Sequence, residues 1–163
     1  MAYDDFEDWY RAEHTRLVNS LFVVSGSVDA ARDATDEAFA RALERWSRVK
    51  TMASPTAWTY RVALNELRRT MRKRAREARR GADPHDQRVQ AAEGSDQEVW
   101  KAVAQLSLVQ REAIVLRYVA DLSEHQIGEV LGRRRGTVAS DLSRARAALA
   151  AVLRERDPEV PRG

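Results

Sequence analysis

The stretch 122–149 reads "LSEHQIGEVLGRRRGTVASDLSRARAAL". Ser123 stands where a helix can begin, and Gln126 three residues later supplies the reciprocal half of a capping box. That helix points Ile127, Val130 and Leu131 inward and stops at Gly132, while the small Gly128 inside it lets a neighbour approach closely. A second helix begins near Arg134–Gly136 and buries Val138, Leu142, Ala145, Leu149 and Val152, spaced 4, 3, 4 and 3. Two helices joined by a tight glycine turn form a helix-turn-helix. At about 100° per residue the second helix then leaves Gly136, Thr137, Ser140, Ser143, Arg144 and Ala147 facing outward.

Three consecutive arginines, Arg133, Arg134 and Arg135, enter that second helix. A cation at a helix N-terminus costs ~0.3–1 kcal/mol, and the sign reverses when a phosphate backbone lies across the same end. Arginine also pairs bidentately with guanine in the major groove. A basic helical hairpin alone is usually a solvated surface. Here the capping box, the two glycines, the inward stripe and the cationic entrance coincide, and the segment reads as DNA-binding.

Outward from this segment the chain is helical throughout. Val99, Ala102, Val103 and Leu106 mark one short helix and Ala113, Ile114, Leu116 and Val119 another. Before residue 80, Phe6, Tyr10, Leu17, Leu21 and Val24 share one face, and Val28, Ala31, Ala38, Ala42 and Trp46 continue the pattern after "SGS" at 25–27. Ser54-Pro55 opens a third long helix that carries Trp58, Val62, Leu64 and Leu67 into a basic tract. Residues 81–97, "GADPHDQRVQAAEGSDQ", are poor in large apolar side chains and read as a flexible linker. The expected organisation is all-α: a helical domain over 1–80, the linker over 81–97, a second domain over 98–155 and a short tail over 156–163.

Charge is unevenly placed. Residues 1–44 hold four Lys or Arg against ten Asp or Glu, a net of −6, whereas 68–80 hold eight against one, a net of +7. An acidic half suits a basic protein surface and a basic run suits a polyanion. There is no cysteine, which removes disulfides and thiolate metal sites and fits a reducing compartment. No stretch approaches the ~20 apolar residues of a membrane helix, and the chain reads as cytoplasmic, with no membrane insertion. Asp33 and Glu37 lie one helical turn apart, but no histidine joins them at motif spacing; neither a metal, a cofactor nor an enzymatic site is expected. Trp9, Trp46 and Trp100 have core spacing. Trp58, just ahead of the basic tract, could instead stack on an unpaired base.

These residues resemble a known family. "VAQLSLVQREAIVLRYVADLSEHQIGEVLGRRRGTVASDLSRARAAL" (103–149) is similar to the promoter-binding C-terminal domain of extracytoplasmic-function RNA polymerase sigma factors. "VSGSVDAARDATDEAFARALERW" (24–46) resembles the family's polymerase-gripping helix, and "SPTAWTYRVALNELRRTMRKR" (54–74) its −10 segment. The resemblance implies a non-enzymatic initiation factor whose partners are core RNA polymerase, promoter DNA and its melted −10 strand; it leaves open an anti-sigma partner. It assigns Asp33, Asp36, Glu37 and Phe39 to core polymerase. It assigns Trp58, Asn65, Arg68, Arg69, Arg72 and Lys73 to the −10 element, and Arg133, Arg134, Arg135, Thr137, Ser140 and Arg144 to the −35 element. The chain departs from the family at Thr35, Asp36, Leu64 and Arg69. The alternative from a different class is a stand-alone, dimeric helix-turn-helix regulator, which predicts a stable dimer on a palindrome.

Overall fold

The computed structural model describes residues 5–81 and 97–156. Among them there are eight helices and no strand: α1 (Phe6–Ser25), α2 (Val28–Glu44), α3 (Trp46–Val49), α4 (Pro55–Arg79), α5 (Gln97–Ala104), α6 (Leu108–Tyr118), α7 (Glu124–Leu131) and α8 (Arg135–Arg156). Most of the expected linker and the last seven residues lie outside the described residues.

Local chemistry sets the boundaries. The Asp5 carboxylate accepts the Glu7 N–H to start α1, and Ser27 and Ser54 do the same for Ala30 and Ala57 at the starts of α2 and α4. Gly26 ends α1 in the left-handed region, φ 70°, a conformation that costs other residues about 1–2 kcal/mol. Pro55 occupies the first turn of α4, where its missing N–H is harmless. The pattern read through Trp46 is in fact broken: Arg45 leaves helical geometry at φ −120°, ψ 21°, and a single turn, α3, follows. Val28 and Val99, expected to face inward, are more than a third exposed. Both stand in the first turn of a helix, where the neighbouring helices do not yet cover the chain. Gln97, assigned to the linker, is instead the first residue of α5.

Packing in the first half depends on residue size. α2 offers Ala30, Ala31, Ala34, Ala38 and Ala42 as its buried stripe, so α1 and α4 can lie close against it. They bring Trp9, Leu17, Leu21 and Val24 from one side and Tyr60, Ala63, Leu64 and Leu67 from the other. Burying each of these leucines contributes about 1.5–3 kcal/mol. Thr35, one of the positions at which the chain departs from the resemblance, is fully buried and its hydroxyl has no hydrogen-bond partner. In the second half α6, α7 and α8 close around Leu116, Ile127, Val138 and Leu142, and α5 packs through a smaller cluster of Val103, Leu106, Ile114 and Ala145.

The halves, read from sequence as separate modules, share one apolar core. Its continuous cluster runs from Trp9 and Leu67 to Leu116, Ile127 and Leu142, with α1 lying on α6 and α4 on α7. This contact places the two candidate surfaces in one body.

Within the first half, the Ser20 hydroxyl donates to the Arg16 carbonyl at 2.8 Å and meets the Tyr60 hydroxyl at 2.9 Å. Burial pushes the Tyr60 phenol from 10.0 up to about 12. The folded value exceeds the unfolded one, so the associated stability is complete below pH 10 and disappears as pH rises toward 12. Urea unfolding across that window should show a loss of roughly 2–3 kcal/mol that Tyr60→Phe abolishes.

Candidate nucleic-acid interface

The α7–α8 hairpin forms as its residue types require. Ser123 and Gln126 close the capping box in both directions, with Gln126 N–H to Ser123 at 3.2 Å and Ser123 N–H to the Gln126 side chain at 2.9 Å. Gly132 turns the chain in the left-handed region at φ 66°. The Arg133 N–H then donates to the Gly128 carbonyl at 2.8 Å. The approach is so close that a Cβ on Gly128 would stand 2.6 Å from the Arg133 carbonyl oxygen. Glycine is required there by the backbone opposite it.

α8 turns Val138, Leu142 and Ala145 into the core and leaves Gly136, Thr137, Ser140, Ser143, Arg144 and Ala147 exposed. This is the slim polar face that the spacing predicts. The three arginines do not act alike. Arg133 turns back to Asp141, Nη1 to Oδ2 at 2.7 Å, and that carboxylate is itself largely buried. Arg133 therefore braces the turn and does not project from it. Arg135 rests on Glu124 at 3.3 Å. Arg134 is exposed and has no ion-pair partner among the described residues. Arg146 donates to the Tyr118 hydroxyl at 2.7 Å and lies 5.7 Å from its ring centroid, a cation–π contact.

On α4, steps of three and four place Asn65, Arg68, Arg69 and Arg72 along one stripe, with Lys73 beside it. Asn65, Arg69, Arg72 and Lys73 are exposed, Arg69 resting on Glu66 at 2.5 Å. Trp58 is half-buried against the core. Arg68 differs from its neighbours. Its guanidinium donates through Nε and Nη2 to the two oxygens of Glu112 on α6, at 2.8 and 2.7 Å, and Glu112 is only 1% exposed. Those hydrogen bonds hold the Arg68 proton more tightly than usual. Next to it, Arg111 Nη1 donates to the Val24 carbonyl of α1 at 2.9 Å. Its Nε has no partner, and burial pushes the pKa of Arg111 down.

The acidic face is on α2. Asp33, Asp36 and Glu37 are exposed, Asp36 meeting His14 at 3.3 Å and Glu37 meeting Arg41 at 2.7 Å. Phe39, assigned with them to a polymerase contact, belongs to the core. It is 3% exposed and packs among Phe6, Trp9, Tyr10 and His14, with ring centroids 4.9–6.3 Å away. Two steps beyond Glu37, about 200° round the helix, its side chain is on the opposite side from that carboxylate. Among the described residues no three His, Asp or Glu stand together as a metal site, and no helix is long and apolar enough to cross a membrane.

Sequence reasoning missed Glu112 and Arg111. The available signal was Val115, which falls off the stripe of Ala113 and Leu116; residues 112–116 are buried without interruption, as in a helix covered on more than one side.

Residues 9–77 match the Sigma-70 region 2 family and residues 96–149 the Sigma-70, region 4 family. The chain is 30% identical over 159 residues to the RNA polymerase sigma-E factor of Streptomyces coelicolor, covering 94% of this chain and 88% of that protein. This chain belongs to the sigma-70 family of RNA polymerase sigma factors. Within the family it is similar to the extracytoplasmic-function sigma factor EcfG of Rhodopseudomonas palustris, 28% identical over 80% of this chain and 75% of that one. Its fold is similar to that of the sigma factor RpoE of Bartonella quintana in a co-crystal structure with the anti-sigma factor NepR, with a TM-score of 0.77 at 27% identity over 93% of this chain and 98% of that one. As a sigma factor of the extracytoplasmic-function type, the chain directs core polymerase to promoters and starts transcription there. The stand-alone regulator is not favoured.

The backbone contact at Gly128 makes a direct prediction about the sigma factor's hairpin. Gly128→Ala should destabilise the protein by about 1–3 kcal/mol in denaturant titration, because a backbone carbonyl has to move. Gly136→Ala meets open space and should instead stabilise α8, by up to ~1 kcal/mol.

Proposed function

We propose that the sigma factor divides its work by surface. In this reading Asp33, Asp36 and Glu37 dock on core polymerase, with Phe39 supporting them from below. Trp58, Asn65, Arg68, Arg69, Arg72 and Lys73 follow the −10 element, whose melted strand offers bases to an aromatic edge and phosphates to the cations. Arg134, Arg135, Thr137, Ser140 and Arg144 enter the −35 major groove, while Arg133 positions the turn. The first domain takes the −10 element and polymerase, the second the −35 element. The protein works by binding and positioning, without bond chemistry of its own, in the cytoplasm where polymerase and DNA are found. The neighbour from Bartonella quintana, crystallised with an anti-sigma factor, is matched across both domains at once. An anti-sigma partner for this chain is therefore part of the proposal.

The observation that carries the reading is the separation of sign on exposed faces. The three carboxylates of α2 and the cationic stripe of α4 lie on different helices, so polymerase and DNA can be held together by one domain. Gel filtration with core RNA polymerase tests it. The wild-type chain should co-elute, and the variant with Asp33, Asp36 and Glu37 all changed to Lys should not, losing roughly tenfold or more in affinity. Retained co-elution of that variant would remove α2 from the interface. In the assembled holoenzyme, Arg134→Ala should weaken promoter binding and lower the slope of log K against log salt by about 0.9, the contribution of one phosphate contact. An unchanged slope would take Arg134 off the backbone.

A further inference from the structure

Asp141 is a carboxylate on the helix that the reading above, on which this inference rests, lays along the −35 groove. A bare acid there would be repelled by the phosphates beside it. Asp141 is not bare. It is 8% exposed and lies on the seam between the outward face of α8 and the core residues Val138, Leu142 and Ala145. Helical spacing sets it about 40° round the helix from Thr137 and about 60° from Arg144.

Its two oxygens have different partners. Oδ2 accepts from Nη1 of Arg133 at 2.7 Å, and Oδ1 faces Nη1 of Arg144 at 3.9 Å. The Arg133 side chain is mostly covered, at 27% exposed, whereas that of Arg144 is 74% exposed. The first arginine fixes the carboxylate, and the carboxylate restrains the second.

An exposed arginine samples many rotamers, and ordering it on a base costs entropy at the moment of binding. A planar fork that is already aimed loses less and matches one base edge, guanine O6 and N7, better than the others. At 3.9 Å in water the Asp141–Arg144 attraction is weak. It strengthens once DNA covers the helix, because the same charges interact more strongly at lower dielectric.

We infer that Asp141 is a positioning residue for −35 readout: held on one oxygen by Arg133, it aims Arg144 with the other at a single base pair and sets the base preference there. Arg133 reaches the promoter only through this relay. The carboxylate also opposes the surrounding arginines in their attraction to any phosphate backbone, so the chain gives up sequence-independent affinity for discrimination. Removing it should have two effects of opposite sign, tighter binding in general and poorer choice among promoters.

Holoenzyme assembled from the full chain and core polymerase is titrated, at one salt concentration, with promoters carrying each base in turn at every −35 position. Arg144→Ala should abolish the preference at one position. There Asp141→Asn, which keeps the size and an oxygen for Arg133, should lower the preference roughly fivefold or more, while affinity for the other promoters holds or rises. Adding Asp141→Asn to Arg144→Ala should change the preference no further, since the two side chains act as one unit. Asp121→Asn removes an equal charge from an exposed site of the same domain and should leave the preference intact. Arg144→Lys, at an exposed position, keeps the test decisive if Asp141→Asn does not fold: it retains the charge without the fork and should lose the preference while keeping the salt dependence. A uniform fall in affinity with preference unmoved in Asp141→Asn would make the carboxylate purely structural and overturn the inference, as would a preference retained in Arg144→Lys. Unchanged affinity for every promoter in Arg144→Ala would instead sink the −35 assignment of Arg144 itself, a result read from that single variant.

Discussion

A carboxylate enclosed by apolar helices needs a cation in fixed geometry, and Glu112 has one in Arg68. Desolvating the two ions costs several kcal/mol, and close bidentate contact repays it only when the surrounding packing is correct. The pair is thus less a source of stability than a condition on the arrangement. α4 must lie where Arg68 can reach α6, and α6 must lie along α1 where Arg111 can reach Val24. The alanine stripe of α2 contributes to the same end, since small side chains let α4 sit deep enough for its next turn to meet the second domain. The sign-separated surfaces of the sigma factor occupy the faces left over once this joint is made.

What was legible in the sequence was local. Ser123 and Gln126 lie three residues apart and satisfy each other's backbone, so their types and spacing suffice to predict the cap. The same holds for Ser54-Pro55 and for Gly132, each of which answers a need of its own turn. The outward face of α8 followed from helical periodicity alone, and the resemblance added the proposal that DNA lies against it. Phe39 is buried where the resemblance implies a polymerase contact, because helical periodicity decides which positions of a family pattern face outward. Ala38 and Ala42 already defined the buried side, and Phe39 lies beside them.

The joint between the domains was not legible, for a physical reason. Arg68 and Glu112 are 44 residues apart, and nothing in either neighbourhood distinguishes a cation for DNA from a cation for a buried acid. Arg133 shows the same ambiguity at short range. As one of three identical side chains it reads as a DNA contact, and only the placement of Asp141 two turns along α8 shows that it is retained by the fold.

The contact between Gly128 and Arg133 has a consequence for how such a protein can change. The hairpin angle is fixed by backbone meeting backbone, and its core by Val138, Leu142 and Ala145. Thr137, Ser140, Ser143 and Ala147 carry none of that burden. Substitutions at such exposed sites ordinarily shift stability by no more than about 0.5 kcal/mol. On the proposed −35 assignment, promoter preference can therefore drift through these positions one mutation at a time, with the scaffold constant and no step passing through an unfolded intermediate.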